Sequence, residues 1–119
     1  MSLFEAAAVT GIGETAHGRG LQRGSALSLQ LQASLAAIAD AGLSPRDIDG
    51  VIPMATGAAV AEDFITNFGI EDLRFSATTP MGGASCVAAL QAAAAAIKAG
   101  ICRHVLLPIG RTGYSGTRI

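Results

Sequence analysis

The chain has 119 residues, half of them hydrophobic, and its mean hydropathy of +0.47 places it among proteins that bury a core rather than among disordered ones. Eight basic and nine acidic residues give a net charge of -1, without the cluster of lysines and arginines that binding to nucleic acid requires. There is no secretory signal and no apolar stretch of roughly 18 residues that could span a membrane. The sequence therefore predicts a cytoplasmic protein that neither binds nucleic acid nor inserts into a membrane.

The first elements are a strand and a helix. Residues 6–12 are small and apolar and run into Gly11 and Gly13, a pattern typical of a buried strand that is followed by a loop over residues 14–24. Ser25 can then cap a helix that ends before Gly42. The apolar residues that define the face of this helix recur three or four positions apart: Leu27, Leu31, Leu35 and Ile38.

The middle of the chain continues the alternation of helices and strands. The sequence Ser-Pro-Arg-Asp over residues 44–47 predicts one short helical turn, and a strand follows over residues 48–52. Residues 58–68 are predicted to form a second helix that Gly69 ends. Its apolar face would carry Val60, Phe64 and Phe68.

The last elements are a strand over residues 73–78, an alanine-rich helix over residues 85–99 and a strand over residues 104–109. Strands that alternate with helices predict an α/β fold, in which helices cover a parallel or mixed sheet. The alanine-rich helix is expected to be tightly packed and buried. A glycine-rich stretch over residues 110–116 follows the last strand and is expected to connect to something further, so a truncated protein is the interpretation that it favours.

Residues 81–86, with the sequence Met-Gly-Gly-Ala-Ser-Cys, carry the pattern most typical of a reactive site. They lie where a strand gives way to a helix, so free backbone N–H groups and the helix dipole can stabilise an anion or a thiolate. Two segments of the chain resemble the thiolase superfamily, especially its sterol-carrier and lipid-transfer branch. The first helix and strand of the family are matched by residues 39–51, and its central helix and the strand after it are matched by residues 82–107.

The resemblance implies a thiolase-like layered fold, of which residues 1–119 would be a partial N-terminal domain, with the remainder of the enzyme absent from this chain. It implies carbon–carbon bond formation or cleavage in a coenzyme A thioester, which is the substrate rather than a bound cofactor. It also implies a homodimer formed along an exposed sheet edge, and an accessory subunit is a further expectation. The acid/base residues of the family would lie beyond Ile119, so this chain alone is expected to be inactive.

The resemblance places Gly83 where ordinary thiolases carry the nucleophilic cysteine. Cys86 lies three residues further on, on a part of the helix expected to be buried. On this alignment Cys86 is not the acyl acceptor, although it is the one residue of the chain kept as a candidate catalytic residue. Ser85 has a hydroxyl but no evident base. A Gly-Gly-Ala-Ser segment at this point resembles family members that cleave β-hydroxyacyl-CoA by a retro-aldol reaction, which needs no covalent thioester, so acyl transfer and retro-aldol cleavage both stay open.

Two hypotheses from other functional classes stay open. A non-catalytic thiolase-like subunit could act as a scaffold, and residues 11–16 match a relaxed dinucleotide-binding fingerprint that could mark a small dinucleotide-binding domain. The remaining reactive or charged residues are expected to be structural or solvated, and no metal site is predicted because neither histidine has a second ligand at useful spacing. These residues are Cys102, His17, His104, Arg19, Arg23 and Arg111.

Overall fold

The structure is a computed structural model that describes residues 5–16, 25–53, 59–79 and 81–110. Three α-helices and three short parallel strands alternate along these ranges, with two single turns of 3₁₀-helix. Their bounds are α1 Ala26–Asp40, a 3₁₀ turn Pro45–Asp47, β1 Gly50–Val51, α2 Ala61–Phe68, β2 Phe75–Ser76, a 3₁₀ turn Gly82–Ala84, α3 Ser85–Lys98 and β3 Val105–Leu106. No helix within these ranges is long and apolar enough to cross a bilayer.

The sheet has the order β2-β1-β3 and all of its pairs are parallel. Gly50 of β1 is in register with Phe75 on one side and with Val105 on the other. The strands lie within the predicted ranges but are shorter, with two residues each. The α/β fold with a parallel sheet between helices is confirmed.

Helix α1 begins and ends as predicted, but it buries a different face. The Ser25 hydroxyl accepts a hydrogen bond from the N–H of Ser28 at 3.1 Å, and Gly42 beyond the C-terminus has a φ of +74°. The predicted apolar face was wrong in part, because Leu35 is 47% exposed. The buried stripe carries Gln30, Ser34 and Ile38, since this is the side of α1 that faces β3 and the chain that follows it.

Helix α2 starts later than predicted. Its first residue is Ala61, because the carboxylate of Asp63 accepts a hydrogen bond from the N–H of Val60 at 2.9 Å and so fixes Val60 as the capping position. Val60 is therefore exposed instead of sharing the apolar face. Phe64 and Phe68 are buried as expected, with their rings edge to face at 5.9 Å.

Two apolar cores lie on opposite faces of the sheet. The larger core joins α1 and α2 to one face, and its buried residues are Ile38, Ile48, Val51, Phe64, Phe68, Ile70 and Leu106. The smaller core joins α3 to the other face, with Ile52, Ala89 and Ala93 buried. The chain therefore forms three layers, with α3 alone on its side of the sheet among the described elements.

The amino ends of the three strands meet at Asp49, and we call this side of the sheet the amino edge. The side-chain oxygens of Asp49 accept hydrogen bonds from the backbone N–H groups of Arg103 at 3.0 Å and His104 at 2.8 Å, just before β3. Its backbone carbonyl accepts from Arg74 at 2.8 Å and Phe75 at 3.1 Å, at the start of β2. One residue thus ties both outer strands to β1.

The strand predicted over residues 6–12 is absent, and this prediction was wrong. Residues 7–13, which we call the N-terminal segment, lie along α1 without a strand partner among the described residues. Gly11 and Gly13 both lie against the α1 backbone. A Cβ added at Gly11 would lie 2.3 Å from the Ala37 carbonyl oxygen, and a Cβ added at Gly13 would lie 2.4 Å from the Ala37 backbone nitrogen. The N–H of Ile12 donates to Asp40 Oδ2 at 3.0 Å, which fixes the segment on the helix.

Candidate active site at the glycine turn

The strand-to-helix connection at residues 81–85, which we call the glycine turn, lies between β2 and α3. Parallel strands end at a common edge of the sheet, and in open α/β sheets this carboxyl edge is where ligands bind. Here β2 ends at Ser76, the chain rises through Thr79, and the 3₁₀ turn Gly82–Ala84 leads directly into α3. The motif singled out in the sequence therefore occupies the expected edge.

Hydrogen bonds that Ser85 accepts from Thr79 and Met81 hold the glycine turn. The Ser85 hydroxyl oxygen accepts from the N–H of Met81 at 3.0 Å, and the Thr79 hydroxyl donates to the Ser85 carbonyl at 3.0 Å. The Met81 carbonyl in turn accepts from the N–H of Ala84 at 3.1 Å. Because these bonds close the turn on itself, its backbone is fixed before any ligand arrives.

The two glycines at the centre of the turn are exposed and open. Gly82 has a φ of +58°, which an L side chain rarely adopts. A Cβ added at Gly83 would meet no atom within 4 Å. Space is therefore available at the position where the resemblance expects a nucleophile, yet this chain carries no side chain there.

Cys86 is exposed, which corrects the expectation that it is buried. The reason lies in how α3 packs. Its buried stripe carries Ser85, Ala89, Ala93 and Ala96, whereas Val87 and Leu90 on the adjoining stripe are exposed. The alanine-rich helix is thus covered on one side only by the described residues, and Cys86 lies on its uncovered side.

Ser85 is unsuited to be a nucleophile, because it is buried and its hydroxyl already serves the glycine turn. The first residues of α3 have a different potential. Their backbone N–H groups form the positive end of a helix of 14 residues beside the exposed glycines. This arrangement can stabilise an anionic oxygen, but it supplies no acid or base.

The other predicted residues do not gather at the glycine turn. Cys102 is buried below the amino edge, where burial and, secondarily, the Asp49 carboxylate raise the pKa of its thiol. His104 has its backbone N–H bonded to Asp49 at 2.8 Å, also at the amino edge. Four residues lie outside the described ranges: His17, Arg19, Arg23 and Arg111.

The candidate dinucleotide motif over residues 11–16 has a packing role instead. Its glycines press against the α1 backbone, and α1 starts at Ala26, well after the motif. A dinucleotide site needs the helix N-terminus inside the motif, so that it meets the pyrophosphate. Within the described ranges no group of three or more His, Cys, Asp or Glu side chains could hold a metal ion.

Two residues that shape the structure were not anticipated from the sequence. Thr79 holds the start of α3, and Asp49 ties the strands together at the amino edge. The only available signal for Asp49 was a carboxylate inside the strand predicted over residues 48–52, whereas β1 of the structure begins at Gly50. Its partners lie 54 and 55 positions away along the chain, so local patterns carried no information about them.

No protein-family model matches the chain. Among curated proteins, the chain is 37% identical over 113 residues to a steroid side-chain-cleaving aldolase from Thermomonospora curvata. It is also 37% identical over 112 residues to a 17-hydroxy-3-oxo-4-pregnene-20-carboxyl-CoA lyase from Mycobacterium tuberculosis. The alignments cover 95% and 94% of this chain but only 29% of each relative, so the chain spans less than a third of their length.

Solved structures give the same picture. The chain matches the Ltp2-ChsH2(DUF35) aldolase with a TM-score of 0.81 and 37% identity, over 92% of this chain and 28% of that one. It also matches Xanthomonas campestris OleA H285D with a TM-score of 0.63 and 18% identity, over 73% of this chain and 27% of that one. The second likeness concerns the fold alone, and it bears out the α/β, thiolase-like fold class.

Proposed function

We propose that this chain is part of an enzyme that cleaves a carbon–carbon bond in a β-hydroxyacyl-CoA thioester by a retro-aldol reaction, without a covalent acyl-enzyme. One observation carries the choice of this reaction over acyl transfer. The open position at the glycine turn is Gly83, which has no nucleophile, and the hydroxyl of Ser85 is committed to the turn. The similarity to an aldolase and a CoA lyase supports the same reaction class.

The reaction needs an acid/base group and a site for an anionic oxygen. A base removes the proton of the β-hydroxyl group, and the oxygen forms a carbonyl as the bond between the α and β carbons breaks. The released electron pair forms the enolate of the thioester, which takes a proton at the α carbon. The products are a ketone or aldehyde and a shortened acyl-CoA.

In this proposal the described residues serve the enolate. Backbone N–H groups at the start of α3 lie beside the exposed glycines and favour negative charge there. The hydrogen bonds of Thr79 and Ser85 hold them in place, which matters because preorganised donors stabilise a transition state better than mobile ones. The acid/base residues would come from the longer polypeptide.

The test is an assay of the full-length protein with a β-hydroxyacyl-CoA, with detection of both the carbonyl product and the shortened acyl-CoA. Intact mass spectrometry of the reacting enzyme should show no acyl adduct. An adduct on any cysteine, or acyl transfer to free coenzyme A as the main reaction, would overturn the retro-aldol proposal. Absence of turnover with a correctly folded protein would favour the scaffold subunit instead.

Cys86→Ala separates the two chemistries within this chain. We expect this variant to keep most of the lyase activity, because the thiol is not needed for a retro-aldol step. Cys102→Ala is the matched control for removal of a thiol, since Cys102 lies at the amino edge. A loss of more than about a hundredfold in kcat for Cys86→Ala alone, with the fold retained, would argue for a catalytic thiol.

The proposal includes a homodimer and an accessory subunit. The backbone N–H of Phe75 in β2 donates to the Asp49 carbonyl at 3.1 Å, so the backbone groups of Phe75 face β1. Successive residues of a strand alternate in direction, and the backbone groups of the exposed residue Ser76 therefore face away from the sheet. This outer edge of β2 is available for a symmetric strand pair. Sedimentation equilibrium with wild type and Ser76→Pro should give a dimer and a weakened dimer. A monomer in both cases would exclude this interface.

A further inference from the structure

The hydroxyl group of Ser85 uses only part of its hydrogen-bonding capacity in the glycine turn. Its oxygen accepts a hydrogen bond from the backbone N–H of Met81 at 3.0 Å. A serine hydroxyl also carries one hydrogen that it can donate. In the part of the chain that the structure describes, no group accepts this hydrogen, so Ser85 keeps a donor that the turn itself does not need.

This unused donor is in a buried position. Ser85 is the first residue of α3 and is 8% exposed, so bulk water has little access to it. Buried polar groups are nearly always hydrogen-bonded, and a buried donor without an acceptor is costly. Because the O–H bond and the lone pair that faces Met81 point in different directions, the acceptor must lie on another side of the oxygen than Met81.

The position of the hydroxyl is fixed from both ends of the residue. The Ser85 carbonyl accepts from the Thr79 hydroxyl at 3.0 Å, while the Ser85 hydroxyl oxygen holds the N–H of Met81. A hydroxyl that accepts a hydrogen bond becomes a stronger donor, since hydrogen bonds in a chain polarise one another. The O–H group is therefore positioned and strengthened before a substrate binds.

The surroundings of this donor favour negative charge. Ser85 begins a helix of 14 residues, and the helix dipole places partial positive charge at the first turn. The neighbouring Gly82 and Gly83 are exposed, and a Cβ added at either position would meet no atom within 4 Å. Because neither residue has a side chain, the oxygen atom of a substrate can approach the backbone of the turn closely.

We infer that the Ser85 hydroxyl donates a hydrogen bond to the thioester oxygen of the acyl-CoA, and that this bond strengthens as the enolate forms. The hydrogen stays on Ser85, so no proton is transferred and the balance of the reaction is unchanged. Ser85 acts as a donor and not as a nucleophile, which agrees with the use of its lone pair by Met81. The inference rests on the proposed retro-aldol reaction.

Steady-state kinetics of Ser85→Ala in the full-length protein test the inference. Removal of one donor to an oxyanion lowers kcat by about a hundredfold to a thousandfold in other enzymes, and we expect a loss of this size. The loss should appear equally in kcat and in kcat/KM, because the hydrogen bond is strongest in the transition state. A wild-type kcat in Ser85→Ala would overturn the inference.

Thr79→Val is the matched control, since it removes the other side-chain donor of the turn and leaves Ser85 in place. We expect this control to lose less than about tenfold in kcat. Equal losses in Ser85→Ala and Thr79→Val would mean that Ser85 only holds the turn, and would overturn the inference while the proposed reaction stands. If the wild type does not cleave a β-hydroxyacyl-CoA, the proposed reaction itself fails and the inference fails with it.

Hydrogen exchange at the α carbon of the shortened acyl-CoA isolates the enolate step. Incubation of the enzyme with this thioester in heavy water, followed by mass spectrometry, measures the exchange without cleavage of a carbon–carbon bond. Ser85→Ala should slow the exchange by about the same factor as kcat, whereas unchanged exchange would contradict a donor to the enolate oxygen. If Ser85→Ala does not fold, Ser85→Cys replaces it in both assays with the same expectations, because a thiol is similar in size and a weak donor.

Discussion

The two edges of the sheet are built in opposite ways. At the amino edge, Asp49 uses both its side chain and its backbone carbonyl to hold the beginnings of all three strands. At the carboxyl edge, the chain leaves β2 for a turn in which Gly82 and Gly83 are exposed and surrounded by open space. The hydrogen bonds of this turn run within the turn and to its neighbour Thr79, and among the described residues none joins it to another strand.

This difference separates the part that determines the fold from the part that is available for chemistry. A buried or half-buried carboxylate that accepts several backbone hydrogen bonds stabilises one arrangement of the strands. An exposed glycine turn at a helix N-terminus contributes little to the core, but it keeps backbone donors accessible. Substitutions should therefore affect stability at the amino edge and activity at the carboxyl edge.

The largest effect on stability should come from Asp49→Ala. The variant leaves the N–H groups of Arg103 and His104 without their carboxylate acceptor, and hydrogen bonds to charged groups are each worth about 1.5–3 kcal/mol. We expect a loss of about 2–4 kcal/mol in the free energy of unfolding, measured by urea denaturation. Asp72→Ala is the control, because Asp72 is 70% exposed and pairs with Arg74 at the surface.

The control should change the free energy of unfolding by less than about 1 kcal/mol, as is usual for an exposed ion pair. Asp49→Asn should fall between the two, since an amide keeps one acceptor oxygen but not the charge. If Asp49→Ala were no worse than Asp72→Ala, the amino edge would not be the stabilising end, and the comparison between the two edges would fail.

Glycine substitutions give the next largest difference. In Gly13→Ala the new Cβ would lie 2.4 Å from the Ala37 nitrogen and 2.5 Å from the Ala33 oxygen, so the N-terminal segment must shift away from α1. We expect a loss of about 1–3 kcal/mol in the free energy of unfolding, as for other overpacked sites. Gly83→Ala, in open space, should change it by less than about 0.5 kcal/mol.

Thermal unfolding of the two glycine variants side by side measures this contrast. Gly82→Ala adds a third point, because its φ of +58° strains an alanine even where no atom is near, and a cost of about 1 kcal/mol is expected. A Gly13→Ala protein as stable as wild type would mean that the contact with α1 is not maintained in solution.

The sequence predicted the elements whose signals are local. Ser25 and Gly42 marked the ends of α1, and the alanine-rich run marked α3. The strand over residues 6–12 could not be judged in this way, since a strand exists only if a partner lies beside it. The buried face of α1 was missed for the same reason: Gln30 is buried because of Gly110, 80 positions away.

The candidate site was predicted in part. Its position at the start of α3 followed from the order of the elements, and the glycines from the motif itself. The exposure of Cys86 did not follow, because it depends on which side of α3 the rest of the protein covers. The role of Ser85 was also hidden, since a sequence does not show whether a serine hydroxyl accepts a hydrogen bond from the backbone or is free to act as a nucleophile.

The two cysteines offer a smaller contrast between the edges. The exposed Cys86 beside the glycine turn should react with iodoacetamide at pH 8 at least about tenfold faster than Cys102, which is buried and whose pKa is raised. Peptide mass spectrometry after timed quenching measures both rates in one sample. Equal rates in the folded protein would contradict the burial of Cys102.

The raised pKa of Cys102 also makes stability dependent on pH. The stabilisation from the neutral thiol is fully present below the ordinary thiol pKa of about 8.5 and is lost as the pH rises through the higher pKa of the folded state. Unfolding measured from pH 7 to pH 10 should therefore show a decline that is smaller in Cys102→Ala. An unchanged decline in that variant would assign the effect to another group.

The smallest effect on stability is expected from a substitution of Gln30, a buried polar residue of α1 that lies beside the carboxyl edge. Its Nε2 donates to the Gly110 carbonyl at 2.9 Å, but its Oε1 is buried with no partner in the part of the chain that the structure describes. Gln30→Met loses one hydrogen bond and also removes a buried acceptor that nothing satisfies, so the two contributions oppose each other. We expect the free energy of unfolding to change by less than about 1 kcal/mol, well below the change for Asp49→Ala. A large loss would show that Oε1 is hydrogen-bonded in solution, and the carboxyl edge would then be held by a side chain in the same way as the amino edge.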